Sequence, residues 1–259
     1  MLINGELSDY RAITHGVPQG SILGPLLFNI YINSLSNSVE KARVILYADD
    51  AVLSCAASTA FELQAILACE LNKVCEWYAA NRLTINAKKT RLMLAGSKTK
   101  LSSFDDVELK MKNAKVERVQ SCKYLGITMD AHWTWRPYIS NLIKKLGHRV
   151  SVFNRICHML DYKTRIAYYN GLVLPHFDYG DIVWGDQPGL KSDMDCLQAF
   201  QNRFAKRIIG NKMSSTEALK HLKWIPLAGR RFGHRCCAVQ NAIINNYSPK
   251  AKLILANIN

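Results

Sequence analysis

The apolar positions of the 259-residue chain fall into two textures. Over the first half, short apolar runs alternate with turn-forming residues. Beyond residue 130, longer stretches repeat at helical spacing. Asn4-Gly5, flanked by Met1–Ile3 and Leu7–Ile13, predicts a hairpin. Leu23, Leu26, Leu27, Ile30 and Tyr31 then recur at helical spacing, with Ser21 placed to act near the N-cap. Two apolar runs, 44–48 and 51–54, flank Asp49-Asp50 and predict a second hairpin turning at the two acids. Thr59 and Glu62 have capping-box spacing and open a helix to about Asn81, with Leu63, Ile66, Leu67, Val74, Trp77 and Tyr78 as its buried stripe. Short strands are expected at 83–86, 91–94, 107–111 and 116–127, and a loop at 96–104. Helices are expected at about 137–157, 162–174, 192–209 and 228–245, punctuated by Pro175, Gly180, Pro188, Gly210 and Pro226. The change of texture puts a domain boundary near residue 130.

Charge sharpens this division. The net charge is +14 and the sequence pI about 9.5. Residues 1–95 hold eight Lys/Arg and eight Asp/Glu, so the whole excess lies in residues 96–259. A neutral front half before a basic back half points to a polyanionic partner, nucleic acid ahead of a membrane surface. A solvated, solubilising surface is the plainer reading of the same cations. The eight cysteines are scattered and lack zinc-ligand spacing, which fits ordinary thiols in a reducing compartment. The N-terminus has no signal-peptide pattern and no window reaches the apolar length of a membrane span. Nucleus or cytoplasm is the expected location.

Two short segments carry candidate chemistry. In Tyr47-Ala48-Asp49-Asp50, adjacent acids sit at a hairpin tip between apolar strands. Alternation directs one acid to a face of the hairpin and leaves its neighbour free to reach round the turn. Paired carboxylates can hold divalent metals for phosphoryl transfer, and Mg²⁺ or Mn²⁺ suits oxygen ligands. On these four residues alone, an ordinary acidic turn is the simpler explanation. In Gly16-Val17-Pro18-Gln19-Gly20, two glycines bracket a proline and a long amide, directly before a helix. Glycine permits close backbone approach to a ligand, and a helix N-terminus favours phosphate. Alone, this too is explained by a structural turn.

Together the segments are specific. The run from Gly16 to Asn29, followed by Tyr47-Ala48-Asp49-Asp50, resembles the reverse transcriptases of non-LTR retrotransposons, jockey-like elements in particular. Asn86 with Lys89-Thr90, then Lys123-Tyr124-Leu125-Gly126-Ile127, continue the likeness in order. So do Pro175-His176-Phe177-Asp178-Tyr179-Gly180 with Val183-Trp184-Gly185, and Leu222-Lys223-Trp224-Ile225-Pro226-Leu227 before Arg230-Arg231. The resemblance implies RNA-directed DNA synthesis with deoxynucleoside triphosphates, an RNA template, a DNA primer and Mg²⁺ (or Mn²⁺). It makes Asp49 the principal metal ligand of the hairpin, with Asp50 assisting. Tyr47 would support the primer end. Gln19 and Gly20 would line the incoming nucleotide and templating base, and Lys89 would sit near the triphosphate as a general acid. Tyr124, Leu125 and Gly126 would hold the primer. A solvated turn lysine and a buried strand are the plainer accounts of Lys89 and of 124–126.

The implied fold is α+β: a truncated ferredoxin-like polymerase palm to about residue 130, then an all-helical thumb and C-terminal region over 131–259. In the thumb, Lys144, Lys145 and Arg149 share one side of the 137–157 helix, opposite Ile139, Leu142, Ile143, Leu146, Val150 and Phe153. That arrangement suits a helix resting on duplex backbone. The family palm opens with a strand bearing another catalytic aspartate. Only fifteen residues precede Gly16 here, and their acids, Glu6 and Asp9, lie in no matching motif. The expectation is a fragment that is inactive alone, with unpaired strand edges and exposed apolar surface. A non-catalytic nucleic-acid-binding remnant and an inert element fossil are the alternatives.

Overall fold

The computed structural model describes residues 2–3, 6–7, 16–111, 114–185, 187, 189–211 and 213–244. The expected Asn4-Gly5 turn, Asp9 and Pro188 lie outside them. The chain combines helices with small two-stranded sheets, and its contacts divide it into two compact units, 1–119 and 120–259. That division falls ahead of the change of texture near residue 130. The hairpin at 121–130 packs with the helices that follow it, because its apolar residues Ile127 and Met129 join their core.

In the first unit, β1 (Leu2–Ile3) pairs antiparallel with β2 (Glu6–Leu7). The Pro18–Ser21 segment turns with Gly20 at φ 83° and the Ser21 amide donating to the Pro18 carbonyl at 3.2 Å, as a type II turn requires. Ser21 Oγ accepts from the amide of Gly24 at 3.0 Å, the first residue of α1 (Gly24–Ile32), which carries proline in its first turn and has Leu23 at its N-cap. The helix forms as its periodicity predicts, yet its stripe is not buried. Leu23, Leu26, Leu27, Ile30 and Tyr31 are all exposed, and Ile32 makes the main buried contact. β3 (Arg43–Tyr47) and β4 (Asp50–Ser54) form an isolated antiparallel hairpin, where the resemblance implies a larger sheet. Val44, Leu46 and Leu53 pack beside Ile32, Leu35 and Val74, while Ile45 and Tyr47 face outward.

α2 (Ala60–Ala80) begins where Thr59 Oγ1 accepts from the Glu62 amide at 3.2 Å. It buries Leu67, Leu71 and Val74, and also Glu70. Burial alone would raise the Glu70 carboxyl. Bonds from Lys73 Nζ (3.0 Å) and the Glu40 amide (2.7 Å) outweigh it and hold the pKa below the ordinary carboxylate value. The expected strand at 83–86 is irregular, and 91–94 contributes only β5 (Arg91–Leu92). Ser97 caps a short α3 (Lys98–Leu101) inside the expected loop. β6 (Lys110–Met111) pairs with β7 (Ala114–Lys115), and β8 (Glu117–Arg118) runs parallel to β5.

The second unit opens with β9 (Ser121–Tyr124) and β10 (Ile127–Asp130), antiparallel and joined by Leu125-Gly126. Four helices follow close to their predicted spans: α4 (Arg136–Ile156), α5 (Tyr162–Leu172), α8 (Lys191–Ile208) and α10 (Leu227–Ile244), while the shorter α6 (Leu174–Asp178), α7 (Asp181–Trp184) and α9 (Ser215–His221) form in segments for which periodicity predicts no helix. None among the described residues is long and apolar enough to cross a membrane. Ile139 and Leu146 of α4 and Leu197 of α8 are fully buried at the centre of one core. Trp224 stacks on Tyr169 at 3.8 Å between centroids.

The passage from β10 into α4 depends on one carboxylate. Asp130 accepts from the amides of His132 (3.3 Å), Thr134 (3.1 Å) and Trp135 (2.8 Å) and from the Thr134 hydroxyl (3.0 Å). Trp133 and Trp135 adopt φ of 54° and 59°, each an unfavourable left-handed conformation for a bulky residue. Burial works to raise the Asp130 carboxyl, but these bonds prevail and lower its pKa. A depressed folded pKa contributes stability that is present above the unfolded value and lost as pH falls through the folded one. Asp130→Ala is therefore expected to cost about 2–4 kcal/mol in urea unfolding at neutral pH. Asp130→Asn should flatten the acid limb of the stability–pH curve below the ordinary aspartate range. An unchanged acid limb would show that the carboxylate is not the anchor.

Candidate active site and nucleic-acid interface

The acidic hairpin closes differently from its sequence reading. Tyr47 pairs with Asp50, so the two-residue loop is Ala48-Asp49 rather than Asp49-Asp50, with Ala48 at φ 50°. Asp50 therefore begins β4. Residues opposite one another in an antiparallel pair share a face, so Asp50 lies on the face of Tyr47, Ile45 and Val52. Asp49 stands in the turn. Both acids and Tyr47 are exposed. Two oxygen donors at one tip suit a hard divalent cation in kind. No third ligand-bearing residue clusters with them among the described residues.

The other candidate residues of the first unit also face solvent. Gln19 and Gly20 form the exposed centre of the turn before α1. A methyl group on Gly16 or Gly20 would stand in open space, with no atom within 4 Å. Their positive φ values, 84° and 83°, rather than crowding, demand glycine. Asn86 organises the next turn: its carbonyl accepts from the amides of Lys89 (3.0 Å) and Thr90 (3.1 Å), and its side chain from Lys89 N (3.2 Å). Lys89 is exposed at that turn.

In the second unit, Leu125 (φ 45°) and Gly126 (φ 83°) form the loop of the β9–β10 hairpin, the two positive φ values of a type I′ turn. Tyr124 ends β9 beside it, with its hydroxyl buried and without a hydrogen-bond partner. The helix α4 is amphipathic as its sequence predicts. Ile139, Leu142, Leu146 and Phe153 are buried, Lys144 and Lys145 exposed, and Arg149 half-buried. The Arg149 Nε is enclosed without a partner, and its carbonyl accepts from the Tyr168 hydroxyl at 3.3 Å. His176 of α6 belongs to the same neighbourhood. Burial, then the nearby cations Lys145 and Arg149, hold its pKa below the usual imidazole value. Sequence periodicity could not find His176, because it lies on another helix.

A second group of acids emerges from the 175–185 motif. Asp178, Asp181 and His234 bring one ligand atom each within 4.8 Å of one another. Their bonds are already taken up. The Arg230 guanidinium donates to both Asp178 oxygens, at 3.0 and 2.6 Å, and His234 Nδ1 meets Asp181 Oδ2 at 2.7 Å. A guanidinium bound in this two-pronged way supplies the positive charge that a dication would supply. The Asp178–Arg230 ion pair and the Asp181–His234 hydrogen bond together join α10 to α6 and α7. Arg230 gains an even higher pKa from its bond to Asp178.

The comparisons with known proteins agree with the ordered motifs. The reverse transcriptase (RNA-dependent DNA polymerase) family matches residues 1–129. The chain is 29% identical over 217 residues to a probable RNA-directed DNA polymerase from transposon BS of Drosophila melanogaster, covering 80% of this chain and 23% of that protein. It is 26% identical over 225 residues to a retrovirus-related Pol polyprotein from a type-1 retrotransposable element R1 of Nasonia vitripennis, covering 82% and 65%. It is 25% identical over 218 residues to the RNA-directed DNA polymerase from mobile element jockey of Drosophila melanogaster, covering 80% and 23%. The chain thus spans less than a quarter of the transposon BS and jockey proteins. No solved structure matches. On the family match and these relatives together, the chain belongs to the reverse transcriptase family, on the side of the non-LTR retrotransposons.

Proposed function

We propose that the chain derives from an enzyme that adds deoxynucleotides to a primer 3′-hydroxyl on an RNA template, with residues 1–119 contributing part of the palm and the helices after residue 130 the thumb. The observation that carries this reading is the Tyr47–Asp50 hairpin, which presents two exposed carboxylates beside an exposed tyrosine at the tip of a largely apolar strand pair. Asp49 and Asp50 would hold Mg²⁺. Such an ion, when bound, stabilises charge on the attacking and leaving oxygens of phosphoryl transfer. Tyr47, on the face of Asp50, would bear on the primer end. Gln19 and Gly20 offer an amide side chain and open backbone to the nucleotide and templating base. Lys89, held at its turn by Asn86, would neutralise and protonate the leaving pyrophosphate. Tyr124, Leu125 and Gly126 would hold the primer strand.

Two carboxylates with no third ligand beside them among the described residues support weak metal binding and little unaided turnover. Mn²⁺ broadening of NMR signals around Tyr47–Asp50 is expected only at high metal concentration and should vanish in Asp49→Asn. Tight binding that survives Asp49→Asn would locate the metal elsewhere. Primer extension on an RNA template is expected to be absent or very low for residues 1–259, and to appear when a polymerase segment bearing a further catalytic aspartate is joined ahead of residue 1. Vigorous extension by residues 1–259 alone would refute the need for that third carboxylate.

A second reading, a nucleic-acid-binding remnant without catalysis, draws on the α4 face alone. Phosphate contacts dominate such binding and make it salt-dependent and tolerant of sequence. Replacing Lys144, Lys145 and Arg149 together by alanine should flatten the log–log salt slope for duplex DNA by roughly two to three units, at about 0.9 for each phosphate no longer neutralised. His176 adds a pH dependence. Phosphate beside Lys145 and Arg149 would offset their charge and raise the His176 pKa, so affinity should grow as pH falls through the raised, bound-state value. An unchanged salt slope in the folded triple variant would make these cations mere solubilising charge.

A further inference from the structure

We propose that Tyr179 is the positioning residue of the primer-holding turn, its hydroxyl and ring together fixing Leu125-Gly126 at the end of the β9–β10 hairpin. The inference rests on reading residues 124–126 as primer-binding. Its basis is a set of contacts that converge on the turn from one side. The Tyr179 hydroxyl donates to the Leu125 carbonyl at 2.5 Å. The same ring covers Gly126: a methyl group there would stand 3.2 Å from both its Cε1 and its hydroxyl oxygen. Leu125 holds φ 45°, a conformation that a branched side chain resists and that an external bond must secure.

Tyr179 is itself rigidly seated. Its carbonyl accepts from the Trp184 indole at 2.9 Å and, at 3.5 Å, from the Tyr138 hydroxyl. Trp184 is 1% exposed, and the Tyr138 ring packs against it at 5.6 Å between centroids. Gly180 takes φ 63°, and a methyl group there would collide with Ile127 of β10. Gly185 has no room for a side chain, since a methyl group would meet the Asp181 carbonyl at 2.5 Å and Arg231 Cδ at 2.6 Å. The Asp178–Arg230 and Asp181–His234 pairs bind the whole segment to α10. Tyr179, by contrast, is 52% exposed. A side chain so open gains little from burial, and its ordered contacts serve the turn. The motif at 175–185 is thus a base plate, with Tyr179 as the part that reaches the hairpin tip.

The test uses the full 259-residue chain and two labelled RNA–DNA hybrids with equal numbers of base pairs, one with a recessed DNA 3′ end and one blunt. The measured quantity is the ratio of their affinities, read alongside amide hydrogen exchange at Leu125, Gly126 and Ile127 and the thermal midpoint. Wild type is expected to prefer the recessed end. Tyr179→Phe should lower that preference roughly three- to tenfold, the scale of one hydrogen bond, and speed exchange at the turn. Its affinity for the blunt hybrid and its midpoint should hold. An unchanged ratio in folded Tyr179→Phe overturns the proposal, as does equal loss on both hybrids, which marks a merely structural tyrosine. If Tyr179→Phe fails to fold, Gly126→Ala, which presses on the ring from the turn side, must reproduce the loss of preference, or the proposal falls. A wild-type chain with no preference for the recessed end instead removes the primer-binding reading of 124–126, and this inference with it.

Discussion

The second unit depends on the carboxylate of Asp130. A hairpin must hand over to a helix within five residues, and two tryptophans pass through left-handed backbone on the way. Unaided, that path is costly. Three amides and a hydroxyl pointed at one buried carboxylate offset the cost, because hydrogen bonds to a charged acceptor are the strong ones. The hairpin carrying Tyr124–Gly126 and the helix carrying Lys144, Lys145 and Arg149 are thereby set in fixed relation. Two surfaces proposed to meet nucleic acid share one anchor.

The two units bury their apolar residues unequally. In the second, α4 and α8 share a continuous core with the shorter helices, and several side chains there are wholly enclosed. In the first, the core is split between a cluster around Leu67 and Leu71 and a smaller one around Leu35. The outer faces of α1 and β3 stay exposed, with Leu23, Leu26, Ile30, Ile45 and Tyr47 among them. Exposed apolar residues in such number are a feature of interaction faces and of aggregation hazards. The acidic tip lies at the end of the hairpin face that carries Ile45 and Tyr47, so the proposed working surface is flanked by exposed apolar side chains.

The acids of the 175–185 motif illustrate how residue type alone misleads. Asp178, Asp181 and His234 have the composition of a metal site, and their geometry brings them close together. Arg230 and the Asp181–His234 bond already balance them. Their effect is mechanical: they fasten the segment that carries Tyr179. The two acids of the β3–β4 tip instead stand exposed to solvent, where their chemistry is open to a ligand.

Much of this molecule is legible from its sequence. Helical periodicity located α2, α4, α5, α8 and α10 to within a few residues, because an amphipathic stripe and its caps are local properties. The ordered motifs identified the family, since they are strings of residues that need no coordinates. Short strands were less legible. The 83–86 segment is irregular, and the acidic turn lies one residue earlier than its sequence reading, because strand pairing and register are decided by what lies alongside. The exposure of the α1 stripe was invisible to periodicity, which shows that a face is apolar and not whether anything covers it. Likewise, no spacing rule joins Tyr179 to Leu125 or His176 to Arg149. Sequence by itself determined which long amphipathic segments become helices and which family they belong to, because those follow from neighbours along the chain, whereas the short α3, α6, α7 and α9 escaped it. The tertiary structure alone decided which carboxylates are tied into ion pairs, which stay open to solvent, and which side chain bonds the Leu125-Gly126 turn, because those depend on groups that folding brings together from dozens of residues away.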